Sequence, residues 1–298
     1  MTNDERIKRR ICKRLKRSES KMNSFRFFRD YSEGYRYTLC DKNDRDSFVF
    51  VRPEGAHLEK LLRHKYYHDL SYEMEGIIER TISSLMIYGK AYIYIIPEYK
   101  TVKGEDDKDK KVLEAIELHD VHGVVSSRSK ENIEFWRVGY SDNLIKCSLD
   151  SSGFVELRMK DIGFSNRQFV GIARKLNRYD ITASSSLLVS KVDGYDFSEH
   201  MHSNTVNEFK LTRTIGWLPK TDGLTDSQIL YRRMLQYKFK LRMMNYVIDR
   251  INNSLLTYLG SEPEGILTIK HKAINCDEVW EKYEDGRLTA SELSKLLF

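Results

Sequence analysis

Proline and cysteine are both scarce in this sequence, with 4 of each in 298 residues. Few prolines suit an ordered chain, and 298 residues are enough to bury a real core without staples, with about two domains as the length prior. The cysteines (Cys12, Cys40, Cys147 and Cys276) lie far apart and form no Cys-x-x-Cys pair. A disulfide framework or a zinc knuckle is thereby excluded as the organising device, and a reducing cytosol is the natural compartment. Long apolar runs are missing too: none approaches the ~18 residues that cross a bilayer. The N-terminus is charged from Asp4 onward and has no apolar core, so it does not read as a secretory signal.

Catalytic signatures are absent as well. No Gly-x-Gly-x-x-Gly, Gly-x-Ser-x-Gly or His-Glu-x-x-His occurs. The stretch "SSLMIYGKAYIYII" (83–96) carries a Gly-Lys pair that invites comparison with a phosphate-binding loop. Such a loop needs an upstream glycine, where Ser84 stands, and a hydroxyl after the lysine, where Ala91 stands. It also runs strand, loop, helix, and this stretch runs helix, glycine, strand. Gly89 therefore reads as a helix stop. His64 with His68, His119 with His122, and His200 with His202 are close pairs. Without thiolate or carboxylate partners, solvent-facing or core-satisfied histidines explain each better than a metal does. No enzyme activity, cofactor or metal is expected.

What the chain does have is charge. Hydrophobic residues make up 40% and charged residues 32%, and 50 basic against 44 acidic residues give +6. The excess crowds into "RIKRRICKRLKRSESK" (6–21), where Ile7, Ile11 and Leu15 form one narrow apolar stripe. One reading is a solvated helix docked by that stripe, which needs a partner surface. The other is an arm that touches phosphates or an anionic membrane.

Four stretches follow from the patterning. Residues 1–54 hold the basic arm and the aromatic-rich, partly irregular "SFRFFRDYSEGYRYTL". Residues 55–221 read as a mixed α+β domain. In it, "GAHLEKLLRHKYYHDLS" and "YEMEGIIERTISSLMIYG" are helices, and "AYIYII" is a strand ended by Pro97. "KGEDDKDKK" is a solvated hairpin loop, "VLEAIEL" the return strand, and 121–192 β-rich. Residues 222–254 form one long helix, opened by Thr225 and Gln228 at capping-box spacing. Tyr231, Leu235, Phe239, Met243, Val247, Ile251 and Leu255 keep an i, i+4 stripe, doubled by Leu241, Met244 and Ile248. Roughly 28 residues make a rod on the order of 40 Å, far beyond the usual helix of about 11–12 residues. In residues 255–298, "LLTYLG" and "GILTIK" read as two strands around "SEPEG", followed by two short helices. Gly89, Gly216 and Gly265 mark structural turns.

Arg232, Arg233, Lys238, Lys240 and Arg242 interleave with Tyr237 on the long helix. They are the candidates to face a nucleic-acid backbone or to line a channel. Apolar residues on more than one face favour subunit contact for that helix.

The order of "LMIYGKAYIYII", a charged hairpin, "LEAIELHDVHGVVS", then "IGWLPKTDGLTDSQ" opening an unbroken helix into "RINNSLLTYLGSEPEGILTIK" resembles the tailed-bacteriophage portal proteins over roughly 72–270. The resemblance implies a portal-like wing of helices and antiparallel strands, a stem-type helix and a small clip-like α/β end. It also implies a homo-oligomeric ring, typically of twelve subunits, at one capsid vertex. Such a ring is the conduit for double-stranded DNA and docks the terminase, the major capsid or scaffold protein and the head-completion or tail proteins. Its location would be the virion, and the host cytoplasm during assembly, with no membrane. Family members continue past the clip into a second stem helix, a tunnel loop and a helical crown. The chain would then be a truncated, divided or reduced form. The alternative is a nucleic-acid-binding accessory protein of a phage or mobile element, using the basic arm and the long helix.

Overall fold

A computed structural model describes residues 5, 6, 9, 22–40, 48–63, 65, 69–103, 109–121, 124–138, 144–165, 167–169, 171–176, 197–219, 221, 224–260 and 264–297. The expected stripe of the basic arm, the pairs His64/His68 and the strand at 186–192 lie outside them, as does His122.

Phe27, Tyr31, Tyr35 and Leu39 recur every four residues and are fully buried. This spacing makes the aromatic-rich segment helical rather than irregular, as α1 (Met22–Ser32) and α2 (Tyr35–Leu39), joined at Gly34. β1 (Val49–Arg52) and α3 (His57–Arg63) follow. In α4 (Leu70–Tyr88), Asp69 accepts from the Tyr72 amide at 3.0 Å and so satisfies a free N–H of the first turn. The other end stops as the pattern predicts. Gly89 takes φ 74°, and its amide donates to Leu85 O at 2.7 Å.

The chain leaves Gly89 directly into β2 (Lys90–Lys103), which turns back as β3 (Asp109–Asp120). The strand expected to end at Pro97 runs on, with Pro97 opposite Ile116 and a bulge at Glu98/Tyr99. The reason is position. β7 (Phe154–Arg158) pairs with β2 along 90–94, so among the described residues no strand pairs with that edge of β2 at Pro97, and a residue without an N–H is tolerated there. The sheet order is β3-β2-β7, all antiparallel. A second antiparallel sheet comprises β4 (Val124–Arg128), β5 (Asn132–Val138) and β6 (Leu144–Asp150), in that order. Past a 3-10 turn (Met159–Ile162), residues 167–169 and 171–176 are helical, within the span expected to be β-rich. α5 (Phe197–Thr212) follows, a helix that the patterning did not suggest.

α6 (Asp226–Leu259) is 34 residues long and opens on the predicted capping box of Thr225 and Gln228. It absorbs "LLTYL", expected as a strand. Leu255 continues the buried stripe four residues after Ile251, and nothing interrupts the helix before Gly260. The clip-like strand pair therefore does not form. β8 (Ile266–Ile269) pairs instead with β1, Val49 opposite Ile269 and Arg52 opposite Ile266. α7 (Cys276–Glu284) and α8 (Ala290–Leu297) close the chain.

The protein is thus α+β, with antiparallel sheets and one long helix. The four stretches read from the sequence share one core that runs from Phe27 to Leu297. α6 is its centre: Leu230, Met234, Tyr237, Phe239, Met243, Met244, Val247, Ile248, Ile251 and Leu255 are all buried. At roughly 1.5–3 kcal/mol for each large apolar side chain taken from water, this stripe is spent inside the chain. It is not the free face that subunit contact through this helix requires, because α2, α4, β7, β8 and α8 already cover it.

Candidate functional site

The five basic candidates on α6 do not form one strip. Arg232 is 1% exposed and Lys240 is 3% exposed, so neither faces outward as expected. Enclosure from more than one side swallows the basic residues that interleave with the apolar ones. Each is instead satisfied inside. The Arg232 guanidinium stacks 3.4 Å from the Phe209 ring centroid, donates to Phe209 O and reaches Thr212 Oγ1 at 3.4 Å. Burial lowers its pKa to about 10, so it stays charged at neutral pH. Lys240 Nζ donates to Glu33 O at 2.8 Å and Thr38 Oγ1 at 3.3 Å, and sits 4.9 Å from the Tyr35 ring. Burial lowers Lys240 to about 8, against the pull of Glu79, Asp30 and Glu33. Both are fastenings between α6 and its neighbours.

Arg233 is half-buried, Lys238 pairs with Asp277 at the start of α7, and Arg242 is exposed with its guanidinium 5.6 Å from the Phe164 ring. At 3.6 residues per turn, Arg233 and Arg242 point about 180° apart. Among the three that are not buried, Lys238 and Arg242 share a face. They line a groove of about 560 Å³ with Asn245, Tyr246, Asp249 and Asp277. Its charges are mixed in sign, which suits a protein contact better than a polyanion.

Of the predicted turns, Gly89 has been described. Gly216 (φ 75°) and Gly265 (φ 116°) also adopt the left-handed side of φ and are tightly enclosed. A Cβ on Gly265 would lie 2.8 Å from Ala56 Cβ and 2.9 Å from Val51 Cγ1, beside the β1–β8 pairing.

A charged centre with no local sequence signal lies elsewhere. Glu156 on β7 has a side chain only 8% exposed and holds three cations. Lys90 Nζ is 2.7 Å from Oε1, while Arg128 Nη2 and Arg158 Nη2 lie 2.5 and 2.8 Å from Oε2. Arg250 of α6 adds a bond from Nη2 to Glu156 O at 3.0 Å. Burial alone would raise the Glu156 carboxyl, but the hydrogen bonds from Arg158 and Lys90 and the charges of Arg128 and Lys90 outweigh it and hold it at about 2. Lys90, the lysine of the Gly-Lys pair, thus works through its side chain at a sheet surface. His119 pairs with Glu117 at 3.0 Å, and His202 is exposed. Among the described residues no group of three or more His, Cys, Asp or Glu could hold a metal.

A pH-sensitive pair lies at the α2–α4 contact. Glu75 and Glu79 sit one turn apart on α4, and Glu79 Oε1 accepts from the Tyr35 amide at 3.3 Å. Burial, then repulsion from Glu79, raises Glu75 from 4.5 to about 7. The folded state binds this proton more tightly than the unfolded one. The stabilising contribution is complete below pH 4.5 and is lost as pH rises through 7. Glu75→Gln should flatten thermal stability between about pH 5 and 7.5 by on the order of 1–2 kcal/mol, after discounting for partial solvation. Melting curves of both proteins across that range check it. An unchanged slope in the variant would assign the dependence to another group.

No protein-family model matches this chain, and no curated protein is significantly similar to it.

Proposed function

We propose that the chain is a ring-forming, portal-type structural subunit of a phage capsid vertex. The order of its elements carries the reading. A helix ends on a left-handed Gly89 and passes at once into the β2–β3 hairpin. Later, a capped 34-residue helix ends at Leu259, and β8 begins seven residues further on, at Ile266. In this reading the ring is the passage for double-stranded DNA, and its outer surfaces take the terminase, capsid or scaffold protein and tail-completion proteins. Because α6 spends its apolar stripe internally, it is the spine of each subunit rather than a stem shared between copies. Ring contacts then fall on outer surfaces such as the mixed-charge groove beside Lys238 and Arg242, consistent with head-to-tail contacts about a rotation axis.

Negative-stain images and mass photometry of the concentrated full chain are expected to give closed rings with a central hole, about twelve copies each. Particles that stay monomeric at every concentration, with and without co-expressed capsid and scaffold proteins, would overturn the proposal. The alternative of a nucleic-acid-binding accessory protein requires a cationic surface other than the long helix.

A further inference from the structure

The surroundings of Glu156 hold more positive charge than the network needs. Lys90, Arg128, Arg158 and Arg250 converge there, against Glu156 and the nearby Asp161, a surplus of two positive charges. An ion-pair staple between sheets needs one cation for each carboxylate. The geometry also leaves the cations available. The Glu156 side chain is almost covered at 8% exposure, while the Lys90, Arg128 and Arg158 side chains are 43%, 43% and 38% exposed. The anion lies underneath and the cations present their outer sides to water. Arg250 Nε is buried with no hydrogen-bond partner.

We infer that Lys90, Arg128 and Arg158, with Arg250 behind them, form a binding site for a backbone phosphate of nucleic acid. Planar guanidinium groups offer paired N–H donors that match phosphate oxygens, and two of them here flank an ammonium. Glu156 already fixes all three heads, so less side-chain freedom is lost when a ligand arrives. The arms come from separate elements: Lys90 from β2, Arg158 from β7, and Arg128 from β4 of the other sheet. The site therefore straddles a junction and is open to solvent. An open site of this kind holds an isolated anion weakly, whereas a strand brings successive phosphates and releases counterions as it binds. The site belongs to the single chain and does not depend on ring formation.

The test uses the full-length chain and fluorescently labelled duplex DNA, read by anisotropy from about 50 to 200 mM salt. Arg128→Ala/Arg158→Ala should weaken binding at low salt at least tenfold and reduce the slope of log K against log salt by about 2. Lys282→Ala, which removes an exposed cation on α7, should leave affinity unchanged. Arg128→Ala alone, at an exposed position, should give an intermediate loss and serves if the double variant folds poorly. Inorganic phosphate should compete only at millimolar concentration. Absence of duplex binding at low salt, or full binding by the double variant, would overturn the site. So would tight binding of inorganic phosphate without affinity for duplex, since that describes a small-anion site. Monomeric protein suffices for each arm, so failure here and failure to form rings are read separately.

Discussion

Gly216→Ala is expected to be among the most damaging single substitutions in the protein. Gly216 has φ 75°, where any side chain costs on the order of 1 kcal/mol. The larger cost is contact with backbone. A Cβ there would lie 2.1 Å from Arg232 O, 2.6 Å from Gln236 N and 2.8 Å from Leu235 Cβ. The turn cannot retreat, because it is tied on both sides. The Gly216 amide donates to Thr212 O at 3.0 Å, the Tyr31 hydroxyl donates to Ile215 O at 2.5 Å, and Trp217 Nε1 donates to Asp30 Oδ2 at 2.9 Å. Either the α5–α6 turn or the first third of α6 must move, which should cost at least about 4 kcal/mol. For a chain of this size that is a fall of roughly 10 °C in Tm, or loss of soluble protein. Gly286→Ala is the control. Its φ of 72° carries the same strain with nothing within 4 Å of the new Cβ, so it should lose only about 1 kcal/mol. Equal losses in the two variants would show that the close approach of the turn to α6 does not set the cost.

Arg232→Ala should cost about 3–5 kcal/mol, since it empties a buried site and leaves Phe209 O and Thr212 Oγ1 without their donor. Arg232→Met keeps most of the stem and removes a charge that burial already disfavours, as the pKa of about 10 indicates. Its loss should be smaller, about 1–2 kcal/mol. The ordering matters more than either value. An arginine facing a channel or a nucleic-acid strand would be exposed, and its truncation would stay within about 0.5 kcal/mol. Denaturant melts of both variants separate the cases. A neutral Arg232→Ala would restore the outward-facing reading of that residue.

Gly89 and Thr225 with Gln228 act through bonds to backbone groups a few residues away, so the end of α4 and the start of α6 were legible, whereas Asp69, which caps the start of α4, reads in the sequence as the interior of a helix over 55–71. The hairpin was legible through alternation on either side of its charged loop. α5 was not, because "FSEHMHSNTVNEFKLT" mixes polar and apolar residues with little period. The pairing of the small sheet was not legible for a different reason. β8 finds its partner, β1, more than two hundred residues earlier, and nothing local to "GILTIK" names "VFVR".

Lys240 and Arg232 state the same limit in charge. Their basic side chains read alike whether water or a neighbouring helix stands opposite. Only the packing of α1, α2 and the α5 end around α6 supplied the carbonyls and rings that hold them. The Glu156 centre draws residues 90, 128, 156, 158 and 250 from three strands and a helix, so no spacing along the chain could announce it. The sequence by itself determined the cap that ends α4, the cap that opens α6, the β2–β3 hairpin and the exceptional length of one helix, because capping and periodicity are short-range. Which face of that helix is buried, which strands pair and which charges meet were decided by the tertiary structure, because burial and ion pairing depend on neighbours that the chain brings together only by folding.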